Sequence, residues 1–305
     1  MMKIVVIGGG STGLVYGSKL SEVADVDILV RRAEQADILN REGVTFQLPD
    51  GQTQHFTPKF TLDPTIMDDA DLIIGLTKCY DVPTVAELIA KHSVSESIIL
   101  PLHNGLGTQE IYNETLGADR VLAGTQYLIT NRTSDTTVIF GANVRTIIGE
   151  QTGKASPRSE KLVDIMNKAG FDASTSDNMK QATWDKFQIA VCQHALSALN
   201  NMTFGQLRES EEVLATSRQL NDEFQLVAAA EGLDFPDEDS FDRVLANMKR
   251  GAIHKSSTCQ DLLAGRPTEI DFINGAISEL GKKYGIPTPA NDAITQEVHE
   301  AESHS

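Results

Sequence analysis

A glycine-rich turn close to the N terminus constrains the fold of this chain more than any other feature of its sequence. The β-rich run Lys3–Ile7 leads directly into a GxGxxG pattern that opens a helical stretch, made of Gly8, Gly9, Gly10, Ser11, Thr12 and Gly13. In such a strand–turn–helix unit the glycines permit a tight turn, a close approach of the backbone to a pyrophosphate, and close packing of the helix. The helix N terminus attracts the phosphates. The pattern therefore predicts a dinucleotide site, with FAD as the alternative to a nicotinamide cofactor.

Strand and helix patterns continue to alternate after this unit, which predicts a complete domain. Apolar runs with β propensity recur at Val26–Val30, Leu72–Leu76 and Ser97–Pro101, and helical patterns lie between them. Strands that alternate with helices are typical of βαβ units and a parallel sheet. Phe46–Phe60, which has Pro-Asp-Gly in its middle, predicts a hairpin insertion.

The second part of the chain is predicted to be helical. Helical patterns cover residues 181–199, 209–231, 240–249, 258–263 and 269–284. We expect an α/β N-terminal Rossmann-like domain with a parallel-sheet core at residues 1–175. We also expect an all-α C-terminal domain at residues 176–305. The acidic end, Glu297–Ser305, is expected to be a mobile tail.

Composition and cysteine usage exclude several classes of partner. The net charge of -17 and the pI near 4.8 argue against a nucleic-acid partner, which requires a basic face. No apolar run is long enough for a membrane span or a signal peptide. Cys79, Cys192 and Cys259 are far apart and match no metal-binding spacing, which favours reduced thiols in a cytoplasmic protein and no metal site.

The residues after the second strand bear on the choice of cofactor. NAD enzymes usually place an acidic residue there to bind the ribose 2′-hydroxyl, whereas this chain has Arg31 and Arg32 after Val30. A basic side chain suits a 2′-phosphate, so NADPH is favoured over NADH. Alternatively, the two arginines are solvated charges at the start of a helix.

Three further segments carry candidate chemistry. Lys186, in the run Trp184–Phe187, lies on a helix that continues with largely apolar residues, and partial desolvation of a lysine lowers its pKa toward the range of a general acid. The other two segments are 256–261, which reads SSTCQD, and 265–275, which reads GRPTEIDFING.

Together these motifs resemble the ketopantoate reductase family. SSxxQD and GRxTEIDxING look like its C-terminal signature, Trp184–Phe187 resembles its WxKL motif, and 103–107 (HNGLG) is similar to its HNGxG. The resemblance implies that Lys186 is the general acid and that Glu269 supports binding and catalysis. It also implies that Asn104 lies beside nicotinamide and substrate, that Ser257 contacts the substrate, and that Arg31 and Lys78 bind the 2′-phosphate of NADPH.

The chain departs from the family pattern at three positions. The family has asparagines four and eight residues after its lysine, in the substrate pocket, where this chain has Ala190 and His194. The methyl group of Ala190 cannot form a hydrogen bond with a substrate hydroxyl, so selectivity for that hydroxyl is reduced. His194 either binds the substrate or is an ordinary neutral core histidine. Asp81 replaces a frequent glutamine and puts an anion near the phosphate site.

The resemblance implies NAD(P)H-dependent reduction of a 2-oxo acid to a D-2-hydroxy acid, with ketopantoate reduction to pantoate as the leading reaction. It also implies a homodimer, in which the helical domain binds substrate and forms the dimer interface. Ala190 and His194 keep open a D-2-hydroxyacid dehydrogenase of the D-mandelate type, acting on branched or aromatic 2-oxo acids. A regulator that binds NADP(H) without turnover is the third alternative.

Overall fold

The computed structural model describes residues 1–140 and 145–304, which divide into two compact units. The first comprises Met1–His103 and Thr108–Ala182, and the second comprises Asn104–Gly107 and the chain from Thr183 onward. The division between them falls inside one long helix, after the boundary predicted at residue 175. The short Asn104–Gly107 segment belongs to the second unit although its neighbours on both sides belong to the first.

The first unit alternates strands and helices along most of its length. Single 3-10 turns at Pro64–Met67, Cys79–Asp81 and Ala118–Arg120 interrupt it. Its elements, in chain order, are β1 (Lys3–Ile7), α1 (Ser11–Leu20), β2 (Asp25–Leu29), α2 (Ala33–Glu42), β3 (Val44–Gln47), β4 (Thr53–Phe56), β5 (Lys59–Thr61), β6 (Leu72–Gly75), α3 (Val82–His92), β7 (Ile98–Pro101), α4 (Thr108–Leu116), β8 (Ala123–Tyr127), β9 (Thr130–Arg132), β10 (Thr137–Phe140), β11 (Arg145–Gly149), α5 (Pro157–Lys168) and β12 (Asp172–Thr175).

A parallel sheet with strand order β5-β2-β1-β6-β7 is the centre of this unit. Ile4, Val5 and Val6 of β1 are fully buried, as a strand covered on both faces must be. This confirms the predicted Rossmann-like α/β class. Two smaller sheets, β4-β3-β10-β9 and β12-β11-β8, complete the unit.

The hairpin prediction is correct in its first part only. β3 and β4 pair antiparallel around a turn in which Gly51 has φ of +82°. The prediction extended the hairpin to Phe60, but Phe60 lies in β5, which pairs parallel with β2 in the central sheet. The sequence also predicts a strand over Val144–Ile148. The part from Arg145 is β11, while Val144 lies outside the described residues.

The second unit is helical, which confirms the predicted all-α second part. A 3-10 turn at Ile270–Phe272 lies between two of its helices, and no described helix has the length and apolarity needed to cross a bilayer. Its helices are α6 (Met179–Leu199), which begins in the first unit, α7 (Phe204–Glu209), α8 (Glu211–Ala230), α9 (Asp237–Arg250), α10 (Ser257–Leu263), α11 (Asn274–Tyr284) and α12 (Pro289–Ser303).

Two expectations for this unit were wrong. The helix predicted from Glu269 to Tyr284 is broken, because the carbonyl of Phe272 accepts a hydrogen bond from the Leu106 amide at 2.9 Å and α11 starts afresh at Asn274. The acidic end is not a mobile tail, since α12 continues to Ser303. Val298 of that helix is fully buried in the core.

Candidate functional site

The glycine-rich loop between β1 and α1 has the geometry that a dinucleotide pyrophosphate requires. Gly8 has φ of +127°, and a Cβ on Gly13 would lie 1.9 Å from the carbonyl oxygen of Gly8, so both positions exclude a side chain. A Cβ on Gly10 would meet no atom within 4 Å, which leaves the backbone open to a ligand. Gly10 caps α1 without a side-chain hydrogen bond, and Ser11 and Thr12 form the first turn. The loop therefore fits a phosphate group at a helix N terminus.

Two side chains that the sequence patterns did not indicate fix the orientation of this loop. The carbonyl oxygen of Gly9 accepts hydrogen bonds from Gln35 Nε2 at 2.8 Å and from an Arg132 guanidinium nitrogen at 3.1 Å. In a planar trans peptide, the carbonyl of Gly9 and the N–H of Gly10 point in opposite directions. Fixing the first therefore fixes the second. The contacts are long-range, 26 and 123 residues apart in sequence, so no local motif could have revealed them.

The basic residues predicted at the ribose end of the site are next to carboxylates. Arg31, which is 79% exposed in its side chain, donates to Asp81 at 3.0 Å, and Arg32 contacts Asp135 at 3.3 Å. Lys78 precedes the 3-10 turn that ends at Asp81, and its carbonyl accepts from the Asp81 amide at 3.0 Å. Arg31 thus lies after the carboxyl end of β2, and Lys78 and Asp81 lie after that of β6, on the other side of β1. In α/β folds ligands bind at these strand ends.

Lys186 lies near the start of α6, beside the core of the second unit. Trp184 and Phe187, its neighbours on the helix, are buried against Phe224. Desolvation by burial lowers the pKa of Lys186 to about 8. A lysine with this pKa is still mostly protonated at neutral pH and can release its proton readily, which is the property of a general acid.

The other candidate residues lie on segments that are tied to α6 or to one another. Glu269 is buried and immediately precedes the 3-10 turn Ile270–Phe272. Leu106 N bonds to Phe272 O at 2.9 Å, which attaches the segment containing Asn104 to that turn. A Cβ on Gly105 would lie 2.4 Å from the same carbonyl oxygen, so this close approach depends on glycine.

Ser256 and Ser257 have different positions at the start of α10. Ser256 is buried, accepts from Cys259 N at 3.0 Å and donates to the His194 carbonyl at 2.8 Å. Its own amide donates to Ser197 Oγ at 3.1 Å. Ser256 is therefore a structural cap that attaches α10 to α6. Ser257 remains partly exposed at the first position of the helix, where it is accessible to a ligand.

Ala190 and His194 are buried along α6 after Lys186. Ala190 is 2% exposed and belongs to the apolar core of the unit. His194 is 7% exposed, and its ring stacks on Phe204 with a centroid distance of 6.3 Å. The surroundings of both residues are thus mainly apolar.

Several residues of the C-terminal signature have a structural role. Asp261, which is buried, forms an ion pair with Arg266 at 3.1 Å. Asn274 is fully buried and donates to the carbonyl of Val191 at 3.1 Å and to Asn291 Oδ1 at 2.9 Å, which joins α11 to α6 and α12. Within residues 1–140 and 145–304, no cluster of His, Cys, Asp or Glu could hold a metal ion.

The chain is similar to known proteins over most of its length. Residues 4–153 match the family model described as ketopantoate reductase PanE/ApbA, and residues 178–302 match its C-terminal counterpart. A 2-dehydropantoate 2-reductase of Halobacterium salinarum is 29% identical over 94% of this chain and 95% of its own length. A 2-dehydropantoate 2-reductase of Streptococcus pyogenes is 28% identical over 99% of this chain and 98% of its own length.

Solved structures extend the likeness to the whole fold. A ketopantoate reductase of the same family from Ralstonia eutropha has a TM-score of 0.90 and 27% identity, with 99% of both chains covered. A D-mandelate dehydrogenase solved with NADH and anilino(oxo)acetate has a TM-score of 0.93 at 24% identity over 99% of both chains, and this likeness shows the shared fold. Because the two family models together cover most of its length, the chain belongs to the ketopantoate reductase family of NAD(P)-dependent oxidoreductases.

Proposed function

We propose that this protein reduces a 2-oxo acid to the (R)-2-hydroxy acid, that ketopantoate is the substrate, and that NADPH is the preferred cofactor. The observation that carries the proposal is the position of Lys186 on α6, where desolvation lowers its pKa to about 8. The helical unit also contains Glu269, Asn104 and Ser257, on segments that its hydrogen bonds connect to α6 or to the Ile270–Phe272 turn.

Lys186 supplies the proton in this mechanism. The nicotinamide, when bound, supplies a hydride to the carbonyl carbon of the substrate. The Lys186 ammonium stabilises the negative charge that develops on the carbonyl oxygen and transfers its proton to that oxygen. Glu269, which is buried, keeps the lysine oriented and charged.

The remaining residues bind the substrate. Asn104 orients the 2-oxo group, and Ser257 donates a hydrogen bond to the carboxylate from the first turn of α10. His194 contacts the acid from about two turns of α6 after Lys186, while Ala190 presents a methyl group one turn after it. Both Arg31 and Lys78 bind the 2′-phosphate, because a phosphate dianion is a stronger partner for a guanidinium than a neutral ribose hydroxyl is.

A D-2-hydroxyacid dehydrogenase of the D-mandelate type is the second candidate. The apolar surroundings of Ala190 and the stacking of His194 on Phe204 favour an apolar 2-oxo acid. A pocket that gives fewer hydrogen bonds to a substrate hydroxyl discriminates less against substrates that lack one.

The test measures kcat/KM for NADPH oxidation with ketopantoate, 2-oxoisovalerate, 2-oxoisocaproate and benzoylformate, followed by chiral analysis of the product. We expect ketopantoate to have the highest kcat/KM and to give the (R)-hydroxy acid. A preference for the apolar acids would replace ketopantoate with the D-mandelate type of reaction. NADPH binding without turnover of any of them would instead indicate a regulator.

We also propose that the protein is a homodimer that acts in the cytoplasm. The three cysteines are buried free thiols, which suits a reducing compartment. Light scattering of the purified protein tests the dimer.

A further inference from the structure

A carboxylate occupies the place where selection between NADH and NADPH is made. Asp81 ends the 3-10 turn that follows β6, and it accepts a hydrogen bond from Arg31, which follows β2, at 3.0 Å. β2 and β6 both flank β1 in the parallel sheet, so their carboxyl ends lie at the same edge. In this class of fold the adenosine ribose is bound at that edge, beside the end of the second strand.

We propose that Asp81 is a specificity-determining residue that lowers the preference for NADPH and gives the enzyme substantial affinity for NADH. This rests on the cofactor site of the proposed function. NAD enzymes usually have an acidic residue at the end of the second strand, which accepts a hydrogen bond from the ribose 2′-hydroxyl. In this chain the Asp81 carboxylate would accept that bond from the loop after β6. It also competes with a 2′-phosphate for the guanidinium of Arg31.

The exposure of the two partners indicates which of them adapts to the cofactor. The side chain of Arg31 is 79% exposed, whereas that of Asp81 is 23% exposed. An ion pair this open contributes little to stability, so Arg31 can leave Asp81 for a phosphate at small cost. The backbone of Asp81 is held within a short turn by the bond from its amide to Lys78 O at 3.0 Å, and its side chain is much less exposed than that of Arg31.

A 2′-phosphate at this site therefore experiences repulsion as well as attraction. Two negative groups a few ångströms apart repel each other even where solvent screens them. Arg32, the other basic residue after β2, is 3.3 Å from Asp135 and so has a carboxylate partner of its own. The net preference for NADPH is smaller than the basic residues alone would give.

The experiment measures the dissociation constants of NADPH and NADH by calorimetry, without any 2-oxo acid, for the wild type and two variants, Asp81→Asn and Asp81→Ser. Asp69→Asn is the matched control. It removes an exposed carboxylate of the same unit that pairs with Lys3 at the opposite edge of the sheet. Circular dichroism verifies that each variant is folded.

In both Asp81 variants we expect the dissociation constant of NADPH, divided by that of NADH, to fall on the order of tenfold. Removing one repulsive charge next to the 2′-phosphate corresponds to about a factor of ten in binding. Asp69→Asn should leave the ratio unchanged. An unchanged ratio in the Asp81 variants, or a shift toward NADH, would overturn the proposal. These binding measurements contain no substrate, so they do not depend on the proposed reaction. If 2-oxo acid reduction is wrong, turnover is absent while the cofactor dissociation constants are unaffected.

Discussion

At the scale of single residues, the proposed mechanism depends on how the protein lowers the pKa of one lysine. Burial lowers the pKa of Lys186 to about 8 by desolvation. The sequence indicated this position, because a lysine on an otherwise apolar helix must lose part of its hydration. It could not indicate the extent of the shift, which depends on packing from segments distant in the sequence.

The lowered pKa predicts the pH dependence of reduction. The proposed mechanism requires protonated Lys186, so kcat/KM should be constant below about pH 7 and fall about tenfold per pH unit above about pH 8. A lysine with the ordinary pKa of about 10.4 would extend the plateau by more than two pH units. Initial rates of 2-oxo acid reduction between about pH 6 and pH 10 measure this. A plateau that reaches pH 10 contradicts the assignment.

At the scale of elements, the loop between β1 and α1 shows what a motif can and cannot specify. The GxGxxG spacing correctly predicted the strand, the turn and the helix, because the conformation of Gly8 and the contact of Gly13 are local constraints. The hydrogen bonds from Gln35 and Arg132 to Gly9 come from α2 and β9. They depend on tertiary structure, and so a local pattern does not reveal them.

Gln35→Leu tests the contribution of this contact. Loss of the 2.8 Å hydrogen bond to Gly9 should weaken NADPH and NADH binding equally, by about fivefold to tenfold, since a net hydrogen bond contributes about 1 kcal/mol. The two cofactors share the pyrophosphate, so their ratio should not change. Gln54→Leu, at an exposed position of β4, is the control. A change confined to NADPH would show that Gln35 acts at the ribose instead.

The C-terminal helix shows how composition can mislead. The acidic residues of the last segment predicted a solvated tail, but Ile294 and Val298, four residues apart, are buried on one face of α12. The Glu302 carboxylate accepts a hydrogen bond from the amide of Thr268, the residue before Glu269, at 2.6 Å. The apolar spacing was present in the sequence, and the net charge of the segment obscured it.

Val298→Ala should therefore lower the free energy of unfolding by about 2 kcal/mol, because it removes buried methyl groups and leaves a cavity. Glu297→Ala, at the exposed neighbouring position, should change it by less than about 0.5 kcal/mol. Urea denaturation measures both. Equal, small effects would mean that α12 contributes no core to the folded state.

At the scale of the whole molecule, the sequence predicted an α/β unit followed by a helical one, because periodicity changes from alternating elements to helices near residue 178. It did not predict that Asn104–Gly107 would join the second unit. That assignment arises from the bond between Leu106 and Phe272 and from the contact at Gly105. The HNGLG motif is consequently divided, with His103 in the first unit and Asn104 in the second.

In the proposed function, this division places the cofactor-binding residues and the proton donor in different units. The glycine-rich loop, Arg31 and Lys78 belong to the first unit, whereas Lys186 and Glu269 belong to the second. Each function can therefore be altered alone, and a variant at Lys186 should retain cofactor binding.

The most direct test of the account is the turnover of Lys186→Ala with NADPH and ketopantoate, measured beside its dissociation constant for NADPH. We predict that kcat falls by a factor on the order of 100 or more, as expected on loss of a general acid, while NADPH binding changes by less than about twofold. Wild-type turnover in this variant would contradict the claim that Lys186 is the proton donor.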